Sequence, residues 1–183
     1  MQLILESVDH ACAQGAIFPA IVTTLTIPDI AGSVEHPDLL SGPRYVRWLD
    51  QWFAPANPSY MQHGVDSHAL YALRCRLLHQ GATDPSGARS AQKSAAAAAK
   101  RLIAFNFGPG ISMHLCTSHS STGESMTILR GETFCAEMTA AARAWQEARA
   151  SDAAVMKRLQ ALVDIRFDVP PLAKGLPLIC AQV

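Results

Sequence analysis

Apolar residues recur mostly three and four positions apart along this chain, the spacing of one buried face of an α-helix. Between Ser7 and Val34 that spacing is kept by Phe18, Ile21, Val22, Leu25 and Asp29. The run Ile21-Val22-Thr23-Thr24-Leu25-Thr26-Ile27 also has the β-branched content of a strand. No turn signal interrupts it before Thr26-Ile27-Pro28-Asp29, so helix is the preferred reading, with Pro28 in a first turn or at a kink. Ser41-Gly42-Pro43 reads as a helix start, with Ser41 as the cap and Pro43 in the first turn. Tyr45, Trp48, Leu49, Trp52 and Phe53 then form an apolar stripe that stops at Ala54-Pro55, because a proline disfavours helical geometry in the residue before it. Asp66 or Ser67 caps a third helix, which buries Leu70, Leu73, Leu77 and Leu78 and ends at Gly81.

Asp84 to Ser90 is a loop by composition, and Ala91 to Lys100 is a low-complexity, alanine-rich stretch. Period-two and short apolar runs follow. Leu102 to Phe107, Ser112 to Ser118 and Met126 to Leu129 read as three strands, turned by Gly108-Pro109-Gly110 and by Ser120 to Glu124. Helical spacing returns over Glu132 to Ala150, through Phe134, Met138, Ala141, Ala142 and Trp145. It returns again from Asp152 to about Phe167, through Val155, Leu159, Leu162 and Val163. The apolar end, Leu176 to Cys180, is expected to pack back on the body or on a partner chain.

These elements predict a mostly helical α+β fold, a helical bundle with a small antiparallel sheet inserted after the third helix. One domain covers 1–183, with a helical part over 7–81, a loop and alanine-rich stretch over 82–100, the sheet over 101–129 and C-terminal helices over 131–168. Lys plus Arg balances Asp plus Glu at 15 each, so no overall field draws the molecule onto nucleic acid or an anionic membrane. Any RNA contact has to be a local patch. The five cysteines are scattered without a CxxC pair, and the start of the chain lacks the basic region of a signal peptide. The longest apolar stretch, about Gly15 to Ile30, is interrupted by prolines, threonines and Asp29, which argues against a bilayer span. Reduced thiols in a cytoplasmic protein are the expectation.

The candidate chemistry lies in Leu73-Arg74-Cys75-Arg76-Leu77-Leu78-His79-Gln80-Gly81. It pairs a permanently charged guanidinium with the side chain that most readily exchanges protons near neutral pH. A five-residue step turns a helix by about 140°, so the two side chains start on adjoining faces, an angle that a long arginine bridges. The segment resembles the Arg-x4-6-His signature of HEPN domains. Together with the helix from Ser41 to Phe53 it also resembles a group of uncharacterised bacterial proteins that carry a YxLRCxLLHxG motif. The HEPN resemblance implies a metal-independent endoribonuclease that works as a homodimer, with no cofactor. It implies that His79 exchanges protons with the ribose 2′-hydroxyl or the leaving 5′-oxygen and that Arg74 holds the scissile phosphate. Cys75 departs from the family pattern, where a polar residue, often asparagine, follows the arginine.

Arg44, Arg47 and Arg76 are the candidates for RNA or phosphate contact beside Arg74. The competing reading makes Arg74 part of an ion pair and His79 a C-terminal helix residue favoured by the helix dipole. The chain is then a catalytically silent module for dimerisation or for binding a nucleotide or protein. Tyr45, Trp48 and Trp52 have the spacing of a buried face rather than of a base-stacking platform. His114, Cys116 and His119, with His63, His68 and Cys135 elsewhere, are metal-ligand types, but one strand places only His114 and Cys116 on a shared face. No metal site is assigned. Cys75 has no general base assigned to it, and no phosphate-cradling glycine loop or nucleophile elbow occurs.

Overall fold

The helical spacing between Ser7 and Val34 folds as three helices rather than one. In the computed structural model these are α1 (Gln2–Ala13), α2 (Ile17–Thr24) and α3 (Ile27–Glu35). The residues described are 1–80, 101–108, 110, 112–121, 124–162, 164–166 and 178–180, with the backbone alone at 80, 101 and the last two short segments. Gly15, at φ 71°, turns the chain between α1 and α2, in a left-handed conformation that glycine adopts without steric cost. Pro28 sits in the first turn of α3, where its missing N–H is no loss. Counted across the bend, Ile17–Glu35 is 19 residues long and apolar enough to cross a membrane by length and composition, yet more than half of it is buried inside the fold.

Next come α4 (Ser41–Trp48), a π-helical turn over Leu49–Phe53, α5 (Ser59–Gln62) and α6 (Ser67–Gln80). The π turn is closed by Ala54 N donating to Leu49 O at 2.8 Å, and it stops before Pro55, as the sequence predicts. Ser41 does not cap α4. Leu40 holds the N-cap position, and the Ser41 hydroxyl is drawn away to Asp29 Oδ1 at 3.0 Å. Asp66 caps α6, its Oδ1 accepting from Ala69 N at 2.7 Å.

The strands are β1 (Arg101–Asn106), β2 (Cys116–His119) and β3 (Ser125–Arg130), in the spatial order β1-β3-β2. β2 and β3 form the expected antiparallel hairpin, with Cys116 opposite Ile128. β1 corrects the expectation of a purely antiparallel sheet, since it runs parallel to β3 in the register Leu102 to Met126. The chain leaves β1 through Gly108 and Gly110, both at positive φ, and β2 starts only after Leu115, at φ 55°. Period-two alternation marks a strand without naming its neighbour, so the parallel partner was not legible. Among the described residues the sheet also follows six α-helices rather than three, because the first predicted helix divides and α5 is a single turn.

α7 (Gly131–Ala148) is the central helix, packed against α1, α2, α3, the π turn and β3. Its Trp145 meets Trp48 edge-on at 6.4 Å, and Phe134 meets Phe53 at 6.3 Å and Phe105 at 5.5 Å. Asp152 caps α8 (Ala153–Gln160) through the amides of Ala154 and Val155. α8 ends well before Phe167. Asp164–Arg166 is instead a short strand, β4, paired antiparallel with Leu178–Cys180, β5, so the apolar end does return to the same chain. The stop at Gly81, the loop over Asp84 to Ser90, the alanine-rich stretch and the turn residue Pro109 lie outside the described residues. The architecture is mostly helical α+β.

Candidate functional site

α6 presents Arg74 to α3 and leaves His79 exposed on its last turn. Arg74 Nη1 lies 3.3 Å from His79 Nε2, so the guanidinium does cross the angle between the two faces. Its other nitrogen, Nη2, is ion-paired to Asp29 Oδ2 at 2.5 Å. The side chains of Arg74 and Asp29 are only 19 % and 12 % exposed, so this pair is shielded from the screening that weakens surface pairs. Burial pulls the Arg74 pKa down, but Asp29 and Cys75 outweigh it and the net shift is upward. The chain of contacts runs from Ser41 to Asp29, Arg74 and His79.

Beside that chain of contacts, α4 and α6 enclose a groove of about 960 Å³. Leu40, Pro43, Val46 and the Tyr71 ring supply its apolar lining, and Arg47, Asp50, His68 and Ser41 its polar groups. Gly42 allows the close approach of α4 to α6, since a Cβ there would stand 3.2 Å from the Tyr71 ring. Arg47 and His68 are exposed, and Arg47 has no ion-pair partner among the described residues. Asp50 accepts from the Ser67 hydroxyl at 2.5 Å. The volume falls within the range of small-molecule sites.

The structure does not gather all the candidate arginines at this groove. Arg47 lines it, whereas the backbone of Arg44 packs against Gly32, where a Cβ would come within 2.9 Å of the Arg44 carbonyl oxygen. Arg76 is half-buried and engaged in a contact of its own. Tyr45 and Trp48 are fully buried, with the Tyr45 hydroxyl donating to Leu25 O at 3.1 Å. Trp52 is half-buried and donates to Glu35.

The residues considered as metal ligands do not come together. His114 Nδ1 accepts from the backbone N–H of Arg130 at 3.1 Å, which places the proton of a neutral ring on Nε2, 3.5 Å from Glu137 Oε2. The same Glu137 oxygen accepts from the Tyr60 hydroxyl at 2.5 Å. His63 Nδ1 meets Thr117 Oγ1 at 3.1 Å, Cys116 and His119 are exposed, and Cys135 is buried against the core. Among the described residues no three His, Cys, Asp or Glu side chains converge as a metal requires.

Sequence reasoning passed over Asp29 and Ser41 as site residues. The signal was present, because Asp29 continues the helical spacing of Phe18, Ile21, Val22 and Leu25, where an acidic residue calls for a buried partner. No family model matches the chain, and neither a curated protein nor a solved structure matches it.

Proposed function

We propose that this protein is a helical binding module, catalytically silent as folded, that takes a mononucleotide in the groove between α4 and α6. The observation that carries the reading is Arg47, which has no ion-pair partner among the described residues, at the edge of an apolar groove walled by the Tyr71 ring. A base suits Tyr71, Leu40, Pro43 and Val46, a phosphate suits Arg47 and His68, and Asp50 offers an acceptor to ribose hydroxyls. Silence is supported by the Asp29 carboxylate on Arg74, which both neutralises the guanidinium and repels a phosphate. A cytoplasmic setting belongs to the same reading, supported by the free thiols of Cys12, Cys75, Cys116 and Cys135. So does a homodimer, which the HEPN resemblance implies. The test is a two-dimensional NMR titration with a nucleoside monophosphate. Resonances of Val46, Arg47, His68 and Tyr71 should move together, and shifts confined to other surfaces would refute the reading.

One observation favours a second reading, a metal-independent endoribonuclease. Arg74 and His79 meet at 3.3 Å on an exposed helix end, a contact in which Arg74 donates and Nε2 accepts. A neutral imidazole of this kind accepts the 2′-hydroxyl proton as the oxygen attacks phosphorus, and the 5′-oxygen then leaves with a proton. Cleavage of end-labelled RNA in excess EDTA, lost in both Arg74→Ala and His79→Ala, would establish it.

A further inference from the structure

Asp29 occupies the place on Arg74 that an external oxyanion would take. Asp29 meets the guanidinium through Nη2 alone, its other oxygen being taken by Ser41, and a carboxylate and a phosphate oxygen compete for that same N–H donor. Asp29 is poorly placed to move aside, because its Oδ1 is gripped by the Ser41 hydroxyl at 3.0 Å while its Oδ2 holds Arg74 at 2.5 Å. Beyond the pair, Arg74 Nη1 reaches toward solvent only as far as the exposed His79. Ser41, whose hydroxyl clamps Asp29, also lines the α4–α6 groove.

We propose that Asp29 is an internal competitor, a carboxylate that α3 keeps on Arg74 and that closes a latent phosphodiester-binding site formed by Arg74 and His79. The inference rests on reading that pair as a phosphate site, the second of the two functions given above. A purely structural ion pair would behave differently. Removing its carboxylate would cost stability and give nothing in return, whereas removing a competitor opens a site.

The experiment is fluorescence anisotropy of a labelled single-stranded RNA, in EDTA, with the parent chain, Asp29→Asn, Asp29→Asn with Arg74→Ala, and Asp38→Asn. Asp38 is exposed, so that last variant matches the charge change without touching Arg74. Asp29→Asn should bind roughly tenfold tighter than the parent, a gain of about 1.4 kcal/mol, and the gain should vanish with Arg74→Ala. A folded Asp29→Asn protein that binds no better would overturn the proposal, as would a gain that survives loss of Arg74 or is matched by Asp38→Asn. If Asp29→Asn does not fold, Ser41→Ala decides, since loosening the clamp should give a smaller, Arg74-dependent gain and an unchanged affinity refutes it. Mononucleotide binding by the same proteins, with and without Arg47→Ala, keeps the groove separate. Failure there with a gain in RNA affinity removes the groove reading alone.

Discussion

Glu35 Oε2 accepts a 2.7 Å hydrogen bond from the indole of Trp145, a residue 110 positions further along the chain. The same oxygen takes the Trp52 indole at 3.2 Å, and Oε1 takes the Arg149 guanidinium, which in turn lies over the Trp52 ring. With 4 % of its side chain exposed, Glu35 is a buried charge whose acceptors are met from three directions, which ties α3, the π turn and α7 together. Glu35→Ala leaves the buried Trp145 indole, the half-buried Trp52 indole and a cation without their acceptor. It should destabilise the fold by about 3–5 kcal/mol, whereas Glu35→Gln keeps one acceptor and should cost less. Urea denaturation followed by tryptophan fluorescence measures both, and equal stability of Glu35→Ala and parent would refute the role.

That node shows where sequence reasoning stops. Asp66 as a cap, the stop at Ala54-Pro55 and the stripe through Tyr45, Trp48 and Phe53 were legible, because each depends on neighbours within one helix. Glu35 was not, since its donors come from residues 17, 110 and 114 positions away. The parallel pairing of β1 with β3 and the break at Gly15 were hidden for related reasons, one set by tertiary topology and the other by a single backbone conformation. At the site, the Arg74–His79 spacing was legible, but the Asp29 carboxylate that occupies Arg74 lies 45 residues earlier and only its place in the apolar spacing of Phe18, Ile21, Val22 and Leu25 announced it.

Gly131 opens α7 against α2. A Cβ at that position would stand 2.6 Å from Ile17 Cγ2 and 3.1 Å from Ile21 Cδ1. In an exposed helix Gly→Ala gains up to about 1 kcal/mol, but here the overlap with a branched, buried side chain decides the sign. Gly131→Ala should therefore lower stability by about 1–3 kcal/mol, as thermal unfolding beside the parent would show. A Gly131→Ala protein more stable than the parent would contradict this packing.

Burial pushes the Cys135 thiol up to about 12 from an ordinary 9.0, and it raises Cys12 and the Tyr45 and Tyr60 hydroxyls as well. In each case the unfolded chain gives up its proton first, so at alkaline pH the folded state binds more protons and stability falls as pH rises. The contribution from Cys135 is fully present below pH 9.0 and is lost as pH climbs toward about 12. Urea midpoints should hold steady between neutral pH and that threshold and decline above it, by up to about 1.4 kcal/mol per pH unit for each such group. Cys135→Ala should make the decline shallower, and an unchanged slope would place the effect elsewhere.

The His114 ring and the Tyr60 hydroxyl meet on one oxygen of Glu137, fastening the loop before β2 and the α5 turn to α7. Tyr60→Phe removes one buried hydrogen bond and should cost about 1–2 kcal/mol. Amide hydrogen exchange should quicken around His114 and Cys116 rather than in α1, and uniform quickening would argue against a local fastening.

Titration of a fluorescent nucleoside monophosphate into the protein, with Arg47→Ala and Tyr71→Ala alongside, tests the groove between α4 and α6 most directly. Saturable one-to-one binding to the parent is expected, weakened roughly tenfold or more in Arg47→Ala, with the melting temperature of that variant unchanged. Binding that does not saturate, or that is indifferent to both substitutions, would contradict it.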